Sequence, residues 1–206
     1  ELVGIPDPET FSQLPWDKRV ARVFCTCFRN REERENPGGH LTSDCRGNLR
    51  IIHNEFQDKY DGLHLRCGTE PEMMWLKRGE DGRPNGGVTK PNCYHIDQFE
   101  ELRPTFMKVI EYSQAMGLDM IQGDHEDAPG QLELNTMFDD VLRNADRLTT
   151  YRQICAQVAR EDGLIACFMS KPFMGVSASG CHHNMSLWRG GKDTVNDLHN
   201  ATLPGM

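Results

Sequence analysis

Apolar residues along this chain switch between a spacing of two and a spacing of three to four, and the switches mark out its elements. Residues 21–28 (Ala-Arg-Val-Phe-Cys-Thr-Cys-Phe) read as a strand, and residues 29–39, charged and then Asn-Pro-Gly-Gly, as a loop. Residues 43–59 carry a helical pattern with Leu49, Ile52 and Phe56 on one face. Residues 65–76 read as a strand, and residues 77–92 as a polar Gly/Pro loop too poor in apolar residues to be core. A first long helix has Asp97 as its cap, Phe99, Leu102, Phe106, Val109, Ile110 and Met116 as its buried face, and Gly117 as its end. Pro104 falls inside that pattern, or else marks the true first turn. Two extended runs, 118–126 and 131–134, flank the turn Asp127-Ala128-Pro129-Gly130 and predict a hairpin. A second helix spans 139–162, with Val141, Leu142, Ala145, Leu148, Ile154, Cys155, Val158 and Ala159 inward and Gly163 closing it. Residues 164–169 form a buried strand. A loop of small residues then feeds a last strand that ends near Trp188. Helices packed on an antiparallel sheet make the class α+β.

Composition narrows the function only by exclusion. Among 206 residues, 23 basic and 31 acidic side chains give a formal charge of −8, which argues against a nucleic-acid surface. No apolar run approaches the roughly 20 residues of a membrane span, and no signal-like start is present, so cytoplasm is the default expectation. The eight cysteines, Cys25, Cys27, Cys45, Cys67, Cys93, Cys155, Cys167 and Cys181, include no CxxC pair and are expected to be buried free thiols. Cys25 and Cys27 share a strand face, so a redox pair is the minority reading. Trp16, Trp75 and the methionines are assigned to packing, with Met73, Met74 and Met120 as walls.

The chemistry concentrates between Gly68 and Ser186. In a strand, Glu70 and Glu72 point to one face, and two like charges in one small volume need a compensating cation. The hairpin returns Glu133 towards Glu126. Alternation in the last strand puts His182, Asn184 and Ser186 on one face and Cys181, His183, Met185 and Leu187 on the other. Carboxylates with one imidazole favour Mg²⁺ or Mn²⁺ over structural zinc, which recruits thiolates. His125 either orients Glu126 or is an ordinary hydrogen-bonded histidine.

Several motifs occur in an order that resembles the glutamine synthetase family. They are Gly68-x-Glu70-x-Glu72, His125-Glu126, Gly130-Gln131-x-Glu133, Phe168-Met169-Ser170-Lys171-Pro172, and Ser179-Gly180-x-His182-x-x-x-Ser186. The resemblance runs from Pro15-Trp16 to Thr202-Leu203-Pro204-Gly205-Met206. It implies a catalytic domain with a curved antiparallel sheet flanked by helices (residues 41–206, its C-terminal part absent), preceded by a remnant of a β-grasp N-terminal domain (residues 1–40).

Carried over by position, it implies that Glu72, Glu126 and Glu133 hold the metal nearest the amino acid, while Glu70 and His182 help hold a second metal at the nucleotide phosphates. Gly130 and Gln131, with Ser177 and Ala178, would line the glutamate site; Asn184 and Ser186 would lie towards ATP. The implied reaction ligates ammonia or a small amine to the γ-carboxylate of glutamate through a γ-glutamyl phosphate, with two Mg²⁺ or Mn²⁺ ions and ATP as co-substrate. Ser177-Ala178 replaces the family's usual Asn-Gly pair, Asn184 a second histidine, and Ile121 a glutamate. With Asp124, these departures look like the branch that joins glutamate to methylamine or other amines.

Family members are about twice this length, so the resemblance implies a fragment, inactive alone, that carries no assignable catalytic residue beyond the metal set. It also implies a homo-oligomeric, dodecamer-like ring with sites at subunit boundaries. A non-catalytic structural or sensing homologue is the alternative of another class, and a guanidino kinase a weaker enzymatic one.

Overall fold

The structure, a computed structural model, describes residues 2–33, 39–90, 92–189 and 192–193. The Thr202-to-Met206 end of the resemblance, residues 34–38 of the expected loop, and Pro91 lie outside the described residues. In chain order the strands and helices are β1 (Val3–Pro6), β2 (Ser12–Leu14), β3 (Asp17–Arg22), β4 (Cys25–Phe28), α1 (Cys45–Lys59), β5 (His64–Arg78), β6 (Pro84–Gly87) and α2 (Ile96–Ala115). They continue as β7 (Met120–His125), β8 (Gln131–Thr136), β9 (Asp139–Asp140), α3 (Val141–Glu161), β10 (Leu164–Cys167), β11 (Cys181–Arg189) and β12 (Lys192–Asp193). The pairings β1–β4, β2–β3, β5–β6, β5–β8, β5–β9, β5–β10, β7–β8 and β11–β12 are antiparallel, in keeping with the α+β reading. The chain divides into two compact units: Glu1–Cys67 with Asp139–Asp146 and Met185–Met206, and Gly68–Phe138 with Arg147–Asn184.

In the first unit β1 pairs with β4, and β2 with β3. The single strand expected over residues 21–28 is therefore two. The chain breaks at Val23-Phe24, where the Phe24 N–H donates to Thr10 Oγ1 and its carbonyl accepts from Asp7, so one apolar run serves two different partners. Asp44 caps α1 by accepting the Arg46 N–H at 3.1 Å, and its other oxygen accepts the Cys27 N–H at 2.9 Å. The inward position of α1 is His53, not the expected Ile52, which is 63% exposed. An imidazole wins this place because its Nε2 accepts the Leu65 N–H at 3.1 Å, a bond no isoleucine can make. Arg46 joins Asp7 (2.8 Å) and Asp146 (2.9 Å) in a half-buried ion cluster.

In the second unit β5 is the central strand, bonded to β8 on one side and to β10 and β6 along its far half. Met73, Met74, Trp75 and Leu76 are all buried, so this strand is enclosed on both faces. Met74, Leu76, Ala128 and Cys167 form an apolar cluster with Ile165, Phe173 and Val176. Period-two geometry places Glu70 and Glu72 on the same face as Met74 and Leu76, so an apolar floor lies further along the face that carries the carboxylates. Part of the 77–92 segment, expected to be loop, is the strand β6. There Thr89 is buried because its hydroxyl accepts the Gly130 N–H at 2.7 Å.

Helix α2 is capped at His95 without a side-chain bond, so Asp97 lies inside its first turn instead of at its cap. Pro104 sits mid-helix at an exposed position. Gly117 (φ +78°) ends the helix as expected, with Gly117 N–H to Gln114 and Leu118 N–H to Ser113 closing a Schellman turn. Helix α3 starts at Val141, after two residues of β9. No cysteine is disulfide-bonded, but only Cys67, Cys155 and Cys167 are buried. Cys45, Cys93 and Cys181 are exposed, against the expectation of buried thiols.

Candidate metal centre

Every residue of the cluster described here belongs to the second unit. The register of β5 against β8 sets Glu72 directly opposite Glu133, and the register of β7 against β8 sets Glu133 opposite Asp124. Directly opposed residues of an antiparallel pair project to the same face. Glu126, two residues beyond Asp124, therefore joins them on that face, and its N–H donates to the Gln131 carbonyl at 3.0 Å. From the next strand the Glu72 N–H donates to the Gly180 carbonyl at 3.1 Å, bringing the start of β11 alongside. His182 Nδ1 then lies 3.3 Å from Glu70 Oε2 and 3.9 Å from Glu72 Oε1.

Glu70, Glu133 and His182 each offer a ligand atom within 4.8 Å of the others. Four of the five sequence-selected residues, Glu70, Glu72, Glu133 and His182, thus converge. Glu126 joins them as a charged neighbour of Glu72 and Glu133.

The electrostatics of the cluster are one-sided. Burial pushes the Glu126 carboxyl above the usual range, and the charges of Glu72, Glu133 and Asp124 push it further. Burial likewise raises Glu133, against a lowering bond from Asn135, with Glu70, Glu72 and Asp124 adding to the rise. Among the described residues none of the four glutamates is bonded to a lysine or arginine. An oxygen-rich set with one imidazole and unbalanced negative charge fits a hard divalent cation. Gly180 keeps room for it: a Cβ there would sit 2.8 Å from His182 Nε2 and 2.9 Å from Glu72 Oε1.

The other selected residues occupy distinct places. Gln131 is 1% exposed; its amide N–H₂ donates to Glu72 Oε2 (2.9 Å), the Ala178 carbonyl (3.0 Å) and Ser179 Oγ (3.1 Å), and its Oε1 accepts the Ala128 N–H (2.9 Å). It ties hairpin, ligand strand and loop together. Gly130 serves through its backbone, its carbonyl accepting the Trp75 N–H at 2.7 Å. Ser177 donates its hydroxyl to Asp127, and Ala178 contributes the carbonyl that Gln131 reaches. Asn184 Nδ2 donates to Glu70 Oε1 at 2.7 Å, so its contact here is with a metal-set carboxylate. Ser186 belongs to the first unit, where its hydroxyl oxygen accepts the Trp188 indole N–H at 2.7 Å. His125, 2% exposed, lies on the strand face opposite Glu126 and meets Thr89 Oγ1 at 3.4 Å, which makes it a packed histidine of the hairpin.

Three residues escaped the sequence reading. Asn135 donates to Glu133 Oε1 at 2.7 Å, and its place two residues after Glu133 was a legible strand signal. Thr89 anchors Gly130 from a segment too polar to be noticed. Tyr94, in the left-handed region at φ +54°, is held by its N–H on the His125 carbonyl, and the nearby charge of Glu126 raises its hydroxyl pKa.

The chain is similar to known proteins in both sequence and fold. Residues 42–203 match the family model described as glutamine synthetase, catalytic domain. The chain is 32% identical over 206 residues to a glutamine synthetase of Methanococcus voltae, covering 98% of this chain and 44% of that protein. It is 30% identical over 201 residues to a glutamate–methylamine ligase of Methyloversatilis universalis, covering 96% and 43%. A solved structure described as apo GmaS without ligand superposes with a TM-score of 0.81 at 30% identity, covering 93% of this chain and 44% of that one. The chain spans less than half the length of the curated relatives it matches. The mixed fold of helices on antiparallel strands, the clustered glutamates and the matched residues lead to one conclusion: the chain belongs to the glutamine synthetase family and carries its catalytic-domain fold.

Proposed function

We propose that the protein carrying this chain joins ammonia or a small amine to the γ-carboxylate of glutamate at the expense of ATP, through a γ-glutamyl phosphate. The observation that carries this reading is the convergence of Glu70, Glu72, Glu133 and His182 on one face, with Glu126 beside them and, among the described residues, no lysine or arginine bonded to any of these four glutamates. Phosphoryl transfer to a carboxylate brings anions together, and divalent cations bound there supply the electrostatic stabilisation. Glu72, Glu126 and Glu133 are assigned to the ion nearer the amino acid, and Glu70 with His182 to the ion nearer the nucleotide. Both Mg²⁺ and Mn²⁺ suit these donors.

In the same proposal residues 1–40 correspond to a small β-grasp domain and residues 41–206 to the first portion of the catalytic domain. The family match beginning at residue 42 supports the boundary. A ring of identical subunits and a cytoplasmic location belong to the proposal as well. Among the described residues no helix is long and apolar enough to cross a membrane.

A second reading, γ-glutamylmethylamide or another γ-glutamyl-amine as product, is favoured by Ser177-Ala178, by Asn184, by Ile121, which is 53% exposed on β7, and by the likeness to GmaS. One experiment separates the readings. The protein is given glutamate, ATP and Mg²⁺ or Mn²⁺ with ammonium, methylamine, ethanolamine or putrescine, and phosphate release is compared. Faster release with ammonium supports a glutamine synthetase, and faster release with methylamine supports the amine-ligase reading. No metal-dependent turnover with any amine supports a non-catalytic homologue and overturns the proposal.

A further inference from the structure

Three of the clustered glutamates share a feature that their identity as candidate ligands does not require: each has one oxygen bonded by a side-chain carboxamide. Asn184 Nδ2 holds Glu70 Oε1 at 2.7 Å, Gln131 Nε2 holds Glu72 Oε2 at 2.9 Å, and Asn135 Nδ2 holds Glu133 Oε1 at 2.7 Å. The oxygens left over are the ones turned inward for Glu70 and Glu72: Glu70 Oε2 and Glu72 Oε1 are those nearest His182 Nδ1. Gln131, Glu133 and Asn135 alternate along one face of β8, so a single strand supplies a ligand candidate and the amides for two carboxylates. Gln131 is further locked by Ala128, Ala178 and Ser179.

Neutral amides have a specific consequence here. A lysine or arginine in their place would cancel the charge that attracts a cation, whereas a carboxamide donates one N–H, fixes the rotamer and leaves the negative charge intact. It also fixes which oxygen faces the cluster.

Resting on the metal-centre reading above, we propose that Asn184, Gln131 and Asn135 are positioning residues that hold Glu70, Glu72 and Glu133 with one chosen oxygen each directed at the cation. Asn184 thereby acts on a ligand, in addition to any part in nucleotide contact.

The test is Mn²⁺ binding by the protein carrying this chain, followed by electron paramagnetic resonance of the free ion, together with the melting temperature of the metal-free protein. Asn184 is exposed, so N184A is expected to leave the metal-free melting temperature unchanged and to weaken Mn²⁺ binding about tenfold, the scale for loss of a bond that orients a ligand. N184Q, which keeps the amide, is expected to recover most of that loss. Q131L, at a buried position, is expected to weaken Mn²⁺ binding at least as much, and it is read only if its metal-free protein melts cooperatively. Binding by both N184A and Q131L within twofold of the unsubstituted protein overturns the inference, as does equal weakening in N184A and N184Q. Failure of the unsubstituted protein to bind Mn²⁺ at all overturns the metal-centre reading instead.

Discussion

At the scale of single residues, the cluster sets attraction for a cation against stability without one. Glu133 is 7% exposed and faces Glu72 across the strand pair, so its charge opposes folding until a cation arrives. Glu133→Gln keeps the oxygen that Asn135 bonds and removes the charge. It is expected to raise the melting temperature of the metal-free protein by about 2–4 °C, the shift that ~1 kcal/mol gives a chain of this size, while weakening Mn²⁺ binding; calorimetry with and without metal measures both.

Asp7 behaves in the opposite sense. Its bond to Arg46, the main cause, and the Arg46 charge hold its carboxyl below its ordinary unfolded-state value against the opposing effect of burial. Its stabilisation is therefore fully present above that value and lost as pH falls through the lower folded-state value. Asp7→Asn is expected to cost about 1 kcal/mol at pH 7, below the roughly 1.5–3 kcal/mol of a fully buried bond to a charged group because the site is partly exposed. The two proteins should then converge in melting temperature in strong acid, and a pH series of melts checks the convergence. The carboxylates Glu70 and Glu72 were legible as a pair because strand periodicity is local. The role of Gln131 was not, because Glu72 lies 59 positions away and only strand pairing joins them.

At the scale of elements, the hairpin turn carries the tightest geometric demand. Gly130 has φ +71°, and a Cβ there would lie 2.3 Å from the Trp75 carbonyl oxygen. Gly117 has nearly the same backbone angle, φ +78°, with nothing within 4 Å. Gly117→Ala is expected to cost about 1–2 kcal/mol, the penalty for an alanine in the left-handed region alone. Gly130→Ala should cost clearly more, since backbone must also move, and it should weaken Mn²⁺ binding because Gln131 and Glu133 follow directly. Urea denaturation of both variants separates the two contributions. Helix α2 was legible from its apolar period and its glycine stop, and whether it ran through Pro104 or began there was not. A proline ends a helix only where nothing else pays for continuing, and the buried Leu102, Phe106 and Val109 supply that compensation here. The split of residues 21–28 into β3 and β4 was hidden for a related reason, since alternation reports a face and not the strand that pairs with it.

For the molecule as a whole, a metal-binding fold should be stabilised by its ligand. Mn²⁺ at one hundred times its Kd is expected to stabilise the protein by about 2.7 kcal/mol, reversibly on chelation. Glu133→Gln should respond more weakly at the same concentration, and thermal melts with Mn²⁺ and then a chelator test both statements. Family, the helices α1, α2 and α3 of the described residues and the residue types of the candidate centre were legible in the sequence alone, because motif order, helical period and strand alternation are properties of neighbours along the chain. The tertiary structure decided that Glu72 stands opposite Glu133, that three carboxamides hold three carboxylates, and that His53 takes the inward place expected of Ile52. Those facts depend on strand register and on hydrogen bonds between distant segments, and residues far apart in sequence acquire a spacing only when the sheet forms.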